Sequence, residues 1–186
     1  QSMSLGLKLV RGVNLLSDPY RGFELASRFG AKFVQFDSVQ TKDIDPLLYT
    51  ALRGEHPGVS VLGGVGFKYT STSANPLEYD LGEGRARCEA IVTTGSGTGV
   101  ETPINKLKSY KSILGDFPLI AGAGVNLYNV GEQLMVADGA IIGSYFKPSD
   151  EEDKESDTRL PINQERVRDL MSLVKDIRKS KVKIAR

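Results

Sequence analysis

Cysteine and histidine occur only once each in this chain of 186 residues, as Cys88 and His56. A lone cysteine excludes an internal disulfide and points to a reducing compartment, so the protein is read as cytoplasmic. One histidine and one cysteine cannot make a metal centre of His/Cys spacing, and no metal site is expected. An excess of charge of one sign is also missing. With 24 Lys and Arg against 23 Asp and Glu, the formal net charge is +1, which gives no electrostatic case for nucleic acid or a membrane surface. No stretch approaches the ~20 apolar residues of a membrane span, and no apolar signal core opens the chain, so no membrane insertion is expected. The Lys/Arg-rich end from Lys175 to Arg186 lacks clustered aromatics and reads as a helix C-terminus with a solvated tail.

What is present is the composition of a soluble globular domain, 40% hydrophobic and 25% charged. The length suits one domain that buries roughly two-thirds of its unfolded surface. Gln1-Ser2-Met3 reads as a tag remnant, and residues 4–186 as a single domain with an acidic loop inserted near 148–162.

Six short runs rich in Val, Ile and Phe read as strands: Leu7–Val13, Lys32–Asp37, Val59–Phe67, Glu89–Thr94, Pro118–Gly122 and Gly139–Ser144. Their near-continuous apolar character suits parallel strands covered by helices. Helix starts fall between them. Asp18-Pro19, Asp45-Pro46, Asn75-Pro76 and Thr102-Pro103 each pair a capping residue with proline, 27, 30 and 27 residues apart. A further start is expected at 126–129 and a last one at Asn163, while Gly30 and Gly115 stand where helices should stop. The stretch from Asn75 to Cys88 is interrupted by Gly82 and Gly84 and is poorly periodic. Strand–helix alternation at this interval is the rhythm of a (β/α) barrel. A doubly wound sheet shares it, but no GxGxxG follows the first strand, so that fold ranks second. The expected fold is therefore α/β: an incomplete TIM barrel with about six strand–helix units.

In such barrels the site lies where strands run into helices. The fourth strand leads into Gly95-Ser96-Gly97-Thr98-Gly99, whose glycines let a ligand approach the backbone and whose hydroxyls can donate. The fifth ends at Gly122 and Gly124, and the sixth at Gly143 and Ser144. Small residues at the last two strand ends are the usual place for a phosphate, although glycines there can also merely relieve crowding. The expected phosphate ligands are Gly95, Ser96, Gly97, Thr98, Gly122, Gly124, Gly143 and Ser144. Lys68 and Asp37, at the ends of the third and second strands, are the expected catalytic residues: an amine or phosphate partner, and a base or hydroxyl ligand. A solvated lysine and a capping aspartate are their plain alternatives. Asn14, at the end of the first strand, reads as a cap before a ligand contact. His56, Cys88 and Asp138 precede strands and belong to the opposite face.

These motifs resemble the BtpA/SgcQ family. The likeness rests on Phe67-Lys68-Tyr69, on Ile91 through Gly99, on Gly122-Ala123-Gly124-Val125 and on Asp138 through Gly143, and runs from about Gly6 to Val174. The resemblance implies a full barrel with two further strand–helix units before this point, which makes these strands three to eight. Where the family shows Lys-His-Ser this sequence has Lys68-Tyr69-Thr70, so any role of that histidine is lost. The family has been linked to photosystem I biogenesis, or by gene neighbourhood to sugar metabolism.

Two functions are weighed. One is an enzyme of this family that binds a sugar phosphate or nucleotide. The alternative is a non-catalytic assembly or biogenesis factor for a membrane protein complex. No cofactor is required. The acidic run Asp150–Glu155 reads as a disordered loop or as a mobile lid over the mouth, helped by Mg²⁺. Six units leave two sheet edges uncovered, and a homodimer is expected to cover them.

Overall fold

The computed structural model of the chain describes residues 9–147 and 160–184. The tag remnant, the first two residues of the first expected strand and the acidic run of the inserted loop lie outside the described residues.

Among the described residues six strands alternate with helices: β1 Gly12–Val13, α1 Arg21–Phe29, β2 Phe33–Phe36, α2 Pro46–Glu55, β3 Ser60–Gly64, α3 Leu77–Arg87, β4 Ala90–Thr93, α4 Ile104–Leu114, β5 Leu119–Ala121, α5 Val130–Val136, β6 Gly139–Ala140 and α6 Gln164–Ile184. A 3₁₀ turn spans Ser144–Phe146. The strands pair in chain order, β1-β2-β3-β4-β5-β6, and every pair is parallel. Strand order never reverses, which separates a barrel from the doubly wound alternative, whose order must reverse at a switch point. The result is a half-barrel whose six βα loops share one end.

The core lies between the strands and their helices. Val34, Phe36, Val61, Ile91, Leu119 and Ala121 from the sheet meet Phe23, Leu81, Leu107, Leu134 and Leu170 from the helices, all buried. Phe23, Phe36 and Tyr49 pack edge-on or tilted, with ring centroids 5.4–6.1 Å apart, a geometry that adds about 0.5–1.5 kcal/mol per pair beyond burial. β4 is buried at all four positions, as a central strand covered on both sides must be.

Each of these four helices begins within two residues of its expected proline, but proline is the first helical residue only in α2, and capping follows only in part. Asp45 accepts from the N–H groups of Leu47 and Leu48, with Pro46 opening the helix. Asp18 takes the Arg21 N–H at 3.1 Å, although α1 itself begins only at Arg21, two residues after Pro19. Asn75 turns instead to Asp80, and Thr102, fully buried, donates to the Ala123 carbonyl. Gly30 ends α1 in the left-handed region at φ 67°, as its position before a strand requires. Despite its two glycines, residues 77–87 form a continuous helix. The strands are shorter than their apolar runs. Val65 and Phe67 are buried by loop packing beyond the end of β3, and apolar periodicity cannot distinguish that from a ladder.

Candidate active site at the strand ends

The loop after β3 and the loop after β4 are tied together. The Lys68 N–H donates to Thr94 Oγ1 at 2.6 Å, and Lys68 Nζ to Thr98 Oγ1 at 3.0 Å. The Thr98 N–H in turn donates to the Tyr69 hydroxyl at 3.1 Å. Tyr69 reaches this position with φ 63°, in the left-handed region where a tyrosine is strained. Thr98 is therefore held by both residues of the Lys68-Tyr69 pair.

A pocket of about 250 Å³ opens between the ends of β5 and β6. Gly122, Gly124, Gly143 and Ser144 line it with Lys68, so five of the expected residues share one cavity. Gly95, Ser96, Gly97 and Thr98 do not line it, whereas Gly99 does. The lining contains no Asp or Glu. Among the described residues the Gly124, Gly143 and Ser144 N–H groups enter none of the turn and loop hydrogen bonds, and Ser144 opens its 3₁₀ turn, where an N–H has no partner within the turn. Among the described residues these amides of the lining are left without a backbone partner outside helices and strands, and such N–H groups suit an anion.

The glycines differ in what they do. A side chain at Gly124, at φ 69°, would collide with the Glu101 backbone, and one at Gly95 with the Glu101 carbonyl. At Gly122 a Cβ would lie 2.6 Å from Val92 Cγ1. These three are also packing residues, where strand ends crowd together. A Cβ at Gly143 would meet nothing within 4 Å among the described residues, and its φ of −128° is not one that requires glycine.

Asp37 lines a neighbouring pocket of about 440 Å³ at the ends of β1, β2 and β3, together with Asn14, Tyr20 and Gln35. Burial raises its carboxyl above the usual value, while a hydrogen bond from Gln35 at 3.3 Å and the positive charge of Lys68 pull the other way. Lys68 stands between the two pockets, lining the first and acting electrostatically on the acid of the second. An acid that burial pushes up, with a lysine charge acting on it, can in chemical terms exchange a proton with a ligand.

The opposite end of the strands holds structural residues. His56 caps α2 and stacks on Phe23 at 6.1 Å and 10°. Asp138 accepts from the Leu119 N–H at 2.9 Å and from Lys111 Nζ at 2.7 Å. The Cys88 thiol is pushed up to about 12 by burial. Sequence reasoning passed over Gln40, Asp80 and Lys106, because polar residues on helices and loops ordinarily read as solvated faces. No group of three or more His, Cys, Asp or Glu among the described residues is placed to hold a metal ion. No helix among them is long and apolar enough to cross a membrane.

Singly ordered parallel strands, outer helices and a shared loop end define a TIM-barrel-type protein. The chain belongs to the BtpA family, whose model matches residues 57–176. An "Uncharacterized protein" of Archaeoglobus fulgidus is 28% identical over 159 residues, 79% of this chain and 62% of its own length. The putative sgc region protein SgcQ of Escherichia coli is 29% identical over 158 residues, 76% of this chain and 57% of its own. The chain thus spans about three-fifths of the curated relatives it matches. Among solved structures, one described as native KDPGal has a TM-score of 0.62 at 14% identity, over 94% of this chain and 72% of that one. Phosphoribosyl anthranilate isomerase from Thermococcus kodakaraensis has a TM-score of 0.57 at 19% identity, over 90% and 75%. At such identities the likeness is one of fold.

Proposed function

We propose that the protein binds a phosphorylated small molecule, a sugar phosphate or nucleotide, with the phosphate in the pocket between the ends of β5 and β6. The supporting observation is the donor set of that pocket among the described residues: backbone N–H groups of Gly124, Gly143 and Ser144 without turn or loop partners, Lys68 at the rim, and no carboxylate in the lining. Backbone amides and one cation around a small cavity suit an anion of phosphate size. The rest of the ligand extends past Lys68 towards Asp37, which makes these two the groups beside the reacting end. A protein that shares the fold, phosphoribosyl anthranilate isomerase, takes by its name a phosphoribosyl substrate.

A thermal-shift screen of phosphorylated metabolites tests this reading. The midpoint should rise with concentration of the right ligand, by the mass action of binding to the native state. Gly143→Asp should remove that rise and leave the ligand-free midpoint unchanged, because the new side chain has open space and an ordinary φ. An equal rise in protein and variant would place the phosphate elsewhere. No rise with any such compound, together with capture of a membrane protein complex from cells, would favour the assembly-factor alternative.

A further inference from the structure

We propose that a second pocket, beside the barrel mouth, is a site for a small zwitterion with an ammonium at one end and a carboxylate at the other, as in a free amino acid. The pocket, of about 370 Å³, lies between the loop after β3 and helices α3 and α4. It shares no lining residue with the pocket assigned to phosphate, so it stands or falls separately.

Three polar groups line this pocket with their hydrogen-bonding unfinished. Gln40 is 2% exposed, and its buried Nε2 has no hydrogen-bond partner among the described residues. A buried amide left in that state bears a desolvation cost that no protein group offsets. Asp80 is 6% exposed, and both of its donors, Ser73 Oγ at 3.0 Å and Asn75 Nδ2 at 3.3 Å, go to Oδ1. Oδ2 takes neither. Lys106 donates to the carbonyls of Gly66 at 2.7 Å and Thr94 at 2.8 Å, and its ammonium carries a third proton. Burial pushes that ammonium below its ordinary value.

Asp80 and Lys106 line the same cavity, yet neither forms an ion pair among the described residues. A buried charge is ordinarily paired. Two opposite charges, held apart in one small pocket beside an unused amide, are complementary to a molecule that brings one charge of each sign. Its ammonium donates to Asp80 Oδ2, and its carboxylate accepts from Gln40 Nε2 and Lys106 Nζ. Phe67, Leu77 and Tyr110 supply the apolar wall for the carbon skeleton.

Isothermal titration of the chain with the common free amino acids is the test. At least one should bind, and Gln40→Met should weaken it by about tenfold or more, ~1.4 kcal/mol. The ligand-free melting midpoint of that variant should hold or rise, since Nε2 loses no bond. Asp80→Asn should also weaken binding, and Gly143→Asp should not. Because Asp80 also holds Ser73 and Asn75, the same question is put to the unaltered chain with the N-acetyl and the carboxamide forms of the ligand. Each lacks one charge, and each should fail to bind. The proposal is overturned if no amino acid binds, if Gln40→Met leaves affinity unchanged, or if the charge-deleted forms or neutral polyols bind as well as the zwitterion.

Discussion

At the scale of single residues, Asp37 carries a conflict between stability and use. Burial raises its carboxyl above 3.8, which means the folded protein prefers it protonated. A raised carboxylate adds stability that is complete below its unfolded value and is lost as pH climbs through the folded one. Above that window the folded state bears the cost of an ionised, half-buried acid. Asp37→Asn imitates the neutral form and can still accept from Gln35. Its stability should match the parent below pH 3.8 and exceed it at neutral pH, as read from urea midpoints at the two conditions. An advantage that does not grow with pH would mean that burial does not control this acid. Lys68 and Asp37 could be nominated from the sequence because strand ends in a barrel face the mouth. What could not be read is that Lys68 and Tyr69 hold Thr98, and that Asp37 opens onto a pocket next to the one lined by the late glycines. Both depend on side-chain reach across loops about thirty residues apart, which no local pattern encodes.

Among the elements, α3 shows how composition misleads. Gly82 and Gly84 weaken the expected periodicity, yet the helix runs from Leu77 to Arg87. Gly84 is buried, and a Cβ there would stand 2.9 Å from Val65 Cγ2 and 3.0 Å from Ile91 Cδ1, so it lets the helix approach the sheet. Gly82 is exposed with nothing within 4 Å. The two should therefore respond oppositely to alanine. Gly82→Ala should stabilise by about 0.5–1 kcal/mol, the helix-propensity difference alone. Gly84→Ala gains the same propensity but forces the side chains of Val65 and Ile91 to move, at ~1–3 kcal/mol, and should destabilise on balance. Urea denaturation of both variants decides it, and a common sign would show that packing against Val65 and Ile91 is looser than described. The helix starts themselves were legible because proline fixes φ ahead of the first turn. Which polar neighbour caps each start was not, since Asn75 and Thr102 find tertiary partners that sequence spacing does not reveal.

For the whole molecule, the order of strands follows from the rhythm of the sequence, while closure does not. β1 pairs only with β2 and β6 only with β5 among the described residues, so each presents an open edge. Beside β6 an apolar groove of about 140 Å³ runs along α6, lined by Leu134, Ala140, Leu170, Val174 and Ile177. On the β1 side Leu9, Val10 and Leu16 are 70–75% exposed. Parallel edges with uncovered backbone groups, flanked by apolar side chains, are a template for further pairing. We therefore propose that the 186-residue chain associates as a homodimer through these edges. A stable interface needs ~800 Å² per partner, which two strand edges with their flanking helix faces can supply. Sedimentation velocity over a range of low micromolar concentrations should show a dimer that dissociates on dilution. Met171→Glu, which puts a charge into the β6 groove, should shift the equilibrium towards monomer without lowering the melting midpoint of the monomer, because Met171 is exposed within one chain and is not part of its core cluster. A sharp monomer at every concentration, with slow hydrogen exchange at the β1 and β6 amides, would show instead that the chain covers its own edges.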